Sequence, residues 1–377
     1  MKGRLGMVLL VVLLVPAAPA SARDPGRWLL TGYSSVSNSY WQGVTSPPGP
    51  GQVFFSGLSQ GLHRTGPALF QRATIDPAIP AAVLTAEGYN HVGDISWHRA
   101  EGGRVLLTLE CFTPGAPGGG NTCGTGSIGV ADPGTLAFRY YVKLDPVEIP
   151  KAMWVESSPD GRLLWTSSGQ DLLAYRAADV TAARAAPAAA PIRSVRRLRG
   201  AVPPSGVTGA AFHRGRLFLA GANGTTYQVW SVDVRSGRRR LELERGGVQG
   251  EAEGLHTMRL MNGRLHWLIA PLAAEPTFGP SVGLLHFVPA RGRPGLRIRA
   301  RATAAMTARP RISVRVTRHG ENVEGATVTL AGARGRTGAG GHVTLLPRLA
   351  VPGHYAALAR WRGLRGISQR FRLGSER

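Results

Sequence analysis

The chain has 377 residues and a formal net charge of +23. The positive charge is almost all arginine, with lysine only at Lys2, Lys143 and Lys151, amid abundant alanine, glycine and proline. That composition reads as an arginine-rich solvated surface, not a specific nucleic-acid footprint. The near absence of amphipathic helical periodicity excludes a helical bundle.

Lys2 and Arg4, the apolar run Leu5 to Val15, and the small residues Ala20-Ser21-Ala22 predict a secretory signal peptide over residues 1–22. No later stretch is long and apolar enough for a membrane-spanning helix. The mature protein is therefore expected to be exported, and a monomer. Trp28-Leu29-Leu30-Thr31-Gly32-Tyr33 is expected to be a strand that completes the last unit of a repeat. Trp41-Gln42-Gly43-Val44 opens the first unit.

One phrase then recurs. A turn glycine precedes a buried strand at Gly51, Gly103, Gly161, Gly215 and Gly263, with spacings of 52, 58, 54 and 48 residues. Repeats of roughly 40 to 50 residues made of short strands point to propeller blades. Pro159-Asp160-Gly161 and Asn262-Gly263 carry the hairpin chemistry that tolerates positive φ. The fold expectation is an all-β chain, with a five-bladed (at most six-bladed) β-propeller over residues 23–290. Within the second unit, Cys111 and Cys123 bracket a glycine-rich loop. In an oxidising compartment they should pair. In the third unit, the alanine-rich segment from Ala177 to Pro191 is expected to be a surface insertion with at most a short helix. An Arg/Pro/Gly-rich linker, with room for one strand around Leu296 to Ala302, is expected over residues 291–310. A small β-sandwich is expected over residues 311–377. From Arg291 onward there are eighteen arginines against Glu321, Glu324 and Glu376, so this module is the basic part of the protein.

Two short patterns lack the context their chemistry needs. Gly57-Leu58-Ser59-Gln60-Gly61 matches a nucleophile elbow, but no helix follows it. Gly124-Thr125-Gly126-Ser127-Ile128-Gly129 matches a dinucleotide fingerprint, but no βαβ unit surrounds it.

On its blade pattern, the region 28–300 resembles the secreted bacterial β-propellers of the gluconolactonase-like, quinoprotein-like and NHL-like group. Glu324-Gly325-Ala326-Thr327-Val328-Thr329-Leu330, Gly341-His342-Val343-Thr344-Leu345 and Pro352-Gly353-His354-Tyr355 are similar to carboxypeptidase-regulatory-like or Ig-like modules. The second resemblance implies adhesion or spacing. The first implies a metal in the central tunnel, bound by similar residue types but without residue-by-residue correspondence.

Aligning the starts of the units brings together Gln42, Asn90, His91, Asp94, Lys151, Glu156, Thr208, Glu251, Glu253 and His256. The expected ligand site is the tunnel mouth, lined by Asn90, His91, Asp94, Lys151, Glu251 and Glu253. Asn90, Asp94, Glu251 and Glu253 supply hard oxygens suited to Ca²⁺. The competing structural reading has Asp94 tying its strand to a neighbour and Glu253 pairing with Lys151. Two functions remain open. One is a binding or scaffold protein for a small molecule or envelope polymer, its basic C-terminal module contacting the cell surface. The other is a metal-dependent extracellular hydrolase of lactone or phosphoester type. Catalysis needs a base beside an activated water, and no base signature is present, so binding is favoured.

Overall fold

Alternating apolar strands joined by tight turns leave the chain little alternative to antiparallel sheets. The computed structural model describes residues 26–373 apart from positions 50, 58, 115–119, 121, 185–189, 247–249, 262, 273–280, 303–309 and 348–351. The expected signal peptide lies outside the described residues, as does Asn262. No helix among the described residues is long and apolar enough to cross a membrane.

Four sheets of four consecutive strands follow one another, beginning with Val44–Thr45, His91–His98, Glu156–Ser157 and Gly209–His213. A fifth sheet contains Glu251–His256, Leu265–Leu272 and Ser281–Pro289, then Trp28–Val36. Each first strand contacts the first strand of the next sheet, and the fifth contacts the first, so the sheets form a ring. This is a β-propeller. The N-terminal strand closes it, with Trp28 opposite Pro289 and Val36 opposite Val282. The core lies between sheets. In one such layer Trp267 and Phe287 of the fifth sheet pack with Phe218 and Tyr227 of the fourth.

Of the five leading glycines, Gly103, Gly161 and Gly215 adopt the positive φ expected of them, whereas Gly51 and Gly263 do not. Gly57 and Gly61 close a hairpin through the Gly57 N–H to Gly61 carbonyl bond, so Ser59 stands on no nucleophile elbow. Gly126 precedes the strand Ser127–Ala131 and opens no helix. The insertion after Arg176 begins with the helix Ala177–Ala183, which buries Ala177 and Val180. Cys111 and Cys123 are disulfide-bonded.

The C-terminal part is joined to the ring more closely than a linker implies. Gly353–Tyr355 pairs with Gly32, Tyr33 and Ser34, and Phe371–Leu373 adds beyond it, extending the fifth sheet. Residues 291–310, expected as a linker, carry the strands Arg293–Pro294 and Arg297–Ala302. Two further sheets enclose a second apolar core that includes Ile312, Val314, Val328, Leu330 and Tyr355.

A buried polar chain crosses the junction. His266 Nε2 lies 3.2 Å from the Met258 carbonyl, which can only accept, so this nitrogen carries the hydrogen. His266 Nδ1 must then accept from His286 Nδ1 at 2.8 Å. His286 Nε2 in turn accepts from Ser34 Oγ at 2.8 Å, and Ser34 accepts from the Tyr355 hydroxyl at 2.9 Å. One direction of donation thus satisfies all four side chains with both imidazoles neutral.

Candidate functional site

The middle of the ring is closed by backbone. The first strands of the second and fifth sheets each break register, between Val92 and Ile95 and between Ala252 and Leu255. The bulges carry Gly93-Asp94 and Glu253-Gly254 into the axis. A Cβ on Gly254 would sit 2.7 Å from the Val44 nitrogen and 2.8 Å from Asp94 Oδ1. Only glycine permits that approach. Gly254 N–H donates to the Gln42 carbonyl at 2.8 Å, and Asp94 N–H to the Met153 carbonyl at 3.0 Å. Asp94 Oδ1 accepts from the Ile95 amide at 2.9 Å, and Oδ2 from the Ala210 amide at 3.1 Å. The Val44 amide reaches the same carboxyl. Asp94 therefore ties together strands of three sheets, and burial pushes its carboxyl well above the usual range.

The two sides of this closure differ. On the side where the first strands begin, Glu253 is buried and Glu251 exposed. Burial, then Glu251, then Asp94 and Glu110 drive the Glu253 carboxyl well above its usual range, with a side-chain hydrogen bond to Glu251. Asn90 is spent on the disulfide loop: its Nδ2 donates to the Phe112 carbonyl and its Oδ1 accepts from the Phe112 amide. The His91 ring packs on Phe112 at 5.3 Å. Lys151 is half-buried on the segment leading to Glu156. Of the six predicted site residues, Glu253 thus meets Glu251 and feels the charge of Asp94, while Asn90 and His91 serve the loop. Among the described residues, no three His, Cys, Asp or Glu side chains are grouped to hold a metal ion.

On the opposite side, where the first strands end, a funnel of about 850 Å³ opens. All five sheets contribute: Ser46; Ser96 and Trp97; Glu156 and Ser157; Phe212 and His213; His256 and Thr257. Its volume lies in the range of small-molecule sites. Glu156 forms the floor. Its Oε2 accepts from Ser96 Oγ at 2.6 Å and its Oε1 from the Phe212 amide at 3.0 Å. Burial outweighs these bonds and raises its carboxyl to about 7. His256 Nε2 accepts from the Ser46 amide at 3.2 Å, and burial lowers the ring to about 4. His256 is therefore neutral, with its hydrogen on Nδ1. Arg99, Arg259 and Arg264 stand exposed at the rim.

No family model matches this chain. No curated protein matches it either. Among solved structures, the glutaminyl cyclase of Myxococcus xanthus aligns at TM-score 0.42 and 10% identity, over 69% of this chain and 96% of that one. An exo-β-1,3-galactanase from Phanerochaete chrysosporium aligns at 0.43 and 10%, over 93% and 94%. The PQQ-bound aldose sugar dehydrogenase of Streptomyces coelicolor aligns at 0.35 and 11%, over 70% and 100%. Likeness this shallow carries no argument about activity, so the site must be read from its own chemistry.

Glu156 and His256 stood in the sequence alignment of unit starts, yet they line the far side. Trp97, Arg99, Phe212, Arg259 and Arg264 were missed. The available signal was positional: each lies at, or shortly after, the end of a first strand.

Proposed function

We propose that this is an exported, ligand-binding five-bladed propeller whose ligand occupies the funnel at the ends of the first strands. The observation that carries this reading is convergence. Five sheets place hydroxyls, a neutral imidazole, a protonatable carboxyl, Trp97 and Phe212 around one small-molecule-sized concavity. The opposite mouth is the weaker choice, because Asp94 and Asn90 are already engaged by protein groups. Export is supported by the disulfide and by the N-terminal sequence pattern.

The C-terminal β-sandwich is proposed to rest against an anionic component of the cell envelope. Arg297, Arg299 and Arg301 alternate outward along one strand, and Arg299 lies directly opposite Arg315. Contact by charge alone is screened beyond about 10 Å at 0.1 M salt. Retention on envelope fragments should therefore fade steeply as salt rises.

Crystals soaked with a mixed panel of sugars, nucleotides, dicarboxylates and short peptides test the site. Density is expected in the funnel, and Pro48→Trp at its exposed rim should abolish it. Ligands bound only elsewhere, or indifferent to Pro48→Trp, sink the reading.

A further inference from the structure

The funnel's charge is not balanced within the protein. Arg99, Arg259 and Arg264 line it, and none of the three forms an ion pair among the described residues. Arg259 and Arg264 stand close enough to act on one another: burial and then the Arg259 charge hold the Arg264 guanidinium below its usual range. The one carboxyl on the lining, Glu156, has both oxygens engaged by Ser96 and Phe212. Each guanidinium has five N–H donors. Arg99 commits one contact to the Pro159 carbonyl at 2.7 Å, and Arg264 one to its neighbour Gly263 at 2.7 Å, leaving most of the forks open. Like charges held side by side over a concavity repel until an anion sits between them.

We propose that the funnel's ligand is anionic, a sugar-sized molecule whose phosphate or carboxylate group is gripped by Arg259 and Arg264 while its ring lies toward Trp97. The proposal rests on the funnel being the ligand site. The Arg259–Arg264 pair offers the planar donor edges that oxyanions accept in bidentate fashion. Arg99, on the second sheet, supplies positive charge from another side of the rim.

Calorimetric titration with D-glucose 6-phosphate, D-glucuronate and D-glucose tests it on the mature protein. One or both anionic probes should bind more tightly than glucose, and the tighter of the two identifies phosphate or carboxylate as the group recognised. The double variant R259Q/R264Q should weaken anion binding by about tenfold or more, the size of a charged hydrogen bond lost. R318Q, which removes one charge from the C-terminal module, should leave it unchanged. Glucose binding as tightly as both anions, no binding of either anion, or full anion affinity in R259Q/R264Q overturns the anionic assignment. Glucose binding that Pro48→Trp blocks would leave the funnel standing as the site. Anion binding untouched by both R259Q/R264Q and Pro48→Trp lies outside the funnel, and overturns both the assignment and the site.

Discussion

Buried titratable groups in this ring fall into two opposed sets. Asp94, Glu156 and Glu253 are raised by burial, and His256, His266 and His286 are lowered by it. A raised carboxyl keeps a proton the unfolded chain has lost, so its contribution falls as pH rises above about 4.5. A lowered histidine refuses a proton the unfolded chain takes up, so its contribution falls as pH drops below about 6.5. His63, His98 and His213 are lowered by burial as well, so the histidines outnumber the carboxyls. Urea midpoints should therefore climb as pH rises towards about 6.5 and fall above it. Glu156→Gln removes one carboxyl while keeping an acceptor for the Phe212 amide. The climb should then steepen by about 1.4 kcal/mol per pH unit. A slope unchanged in the variant would mean Glu156 is ionised in the folded protein throughout. The His266–His286–Ser34–Tyr355 chain makes a second claim at this scale. Tyr355→Phe removes its terminal donor and should cost about 1 kcal/mol in chemical denaturation.

Individual strands show what local sequence encodes and what it does not. Turn glycines and apolar runs are read within a dozen residues, so the sheets and the Cys111–Cys123 pairing were legible from the chain alone. The bulges at Gly93-Asp94 and Glu253-Gly254 were not, because their cause is the meeting of strands far apart in sequence. Nothing near Gly254 announces that Val44 and Asp94 crowd it. Sequence shows the polar residues at the strand starts, but not that Asp94 is used in closing the axis. Gly254→Ala should cost about 1–3 kcal/mol as overpacking against backbone that cannot withdraw. Gly51→Ala, where an added Cβ meets nothing, should change stability by less than about 0.5 kcal/mol. Equal effects would show that the axis tolerates opening. The disulfide closes a loop also pinned by Asn90. Cys111→Ser should lose about 3 kcal/mol by the loop-entropy argument, and thiol titration of the unreduced, denatured protein should find no free thiol.

At the scale of the molecule, the C-terminal module and the ring share one sheet. Pairing of Gly353–Tyr355 with Gly32–Ser34 joins residues more than three hundred positions apart, beyond any periodicity argument. The expectation of a separate module misses it for that reason. Strand sharing and the buried histidine chain couple the two cores, so the mature protein should unfold in a single calorimetric transition. Two well-separated transitions would show the junction to be weak. The surplus of positive charge belongs to this scale too: much of it is solvated surface, and Arg99, Arg259 and Arg264 face the funnel. Hydrogen exchange of the mature protein, with and without the tightest binder from the titrations, tests the placement of the site most directly. Protection is expected in residues 46–49, 96–99, 156–159 and 256–259, where the first strands end. Protection confined to residues 90–94 and 251–253, where they begin, would contradict it.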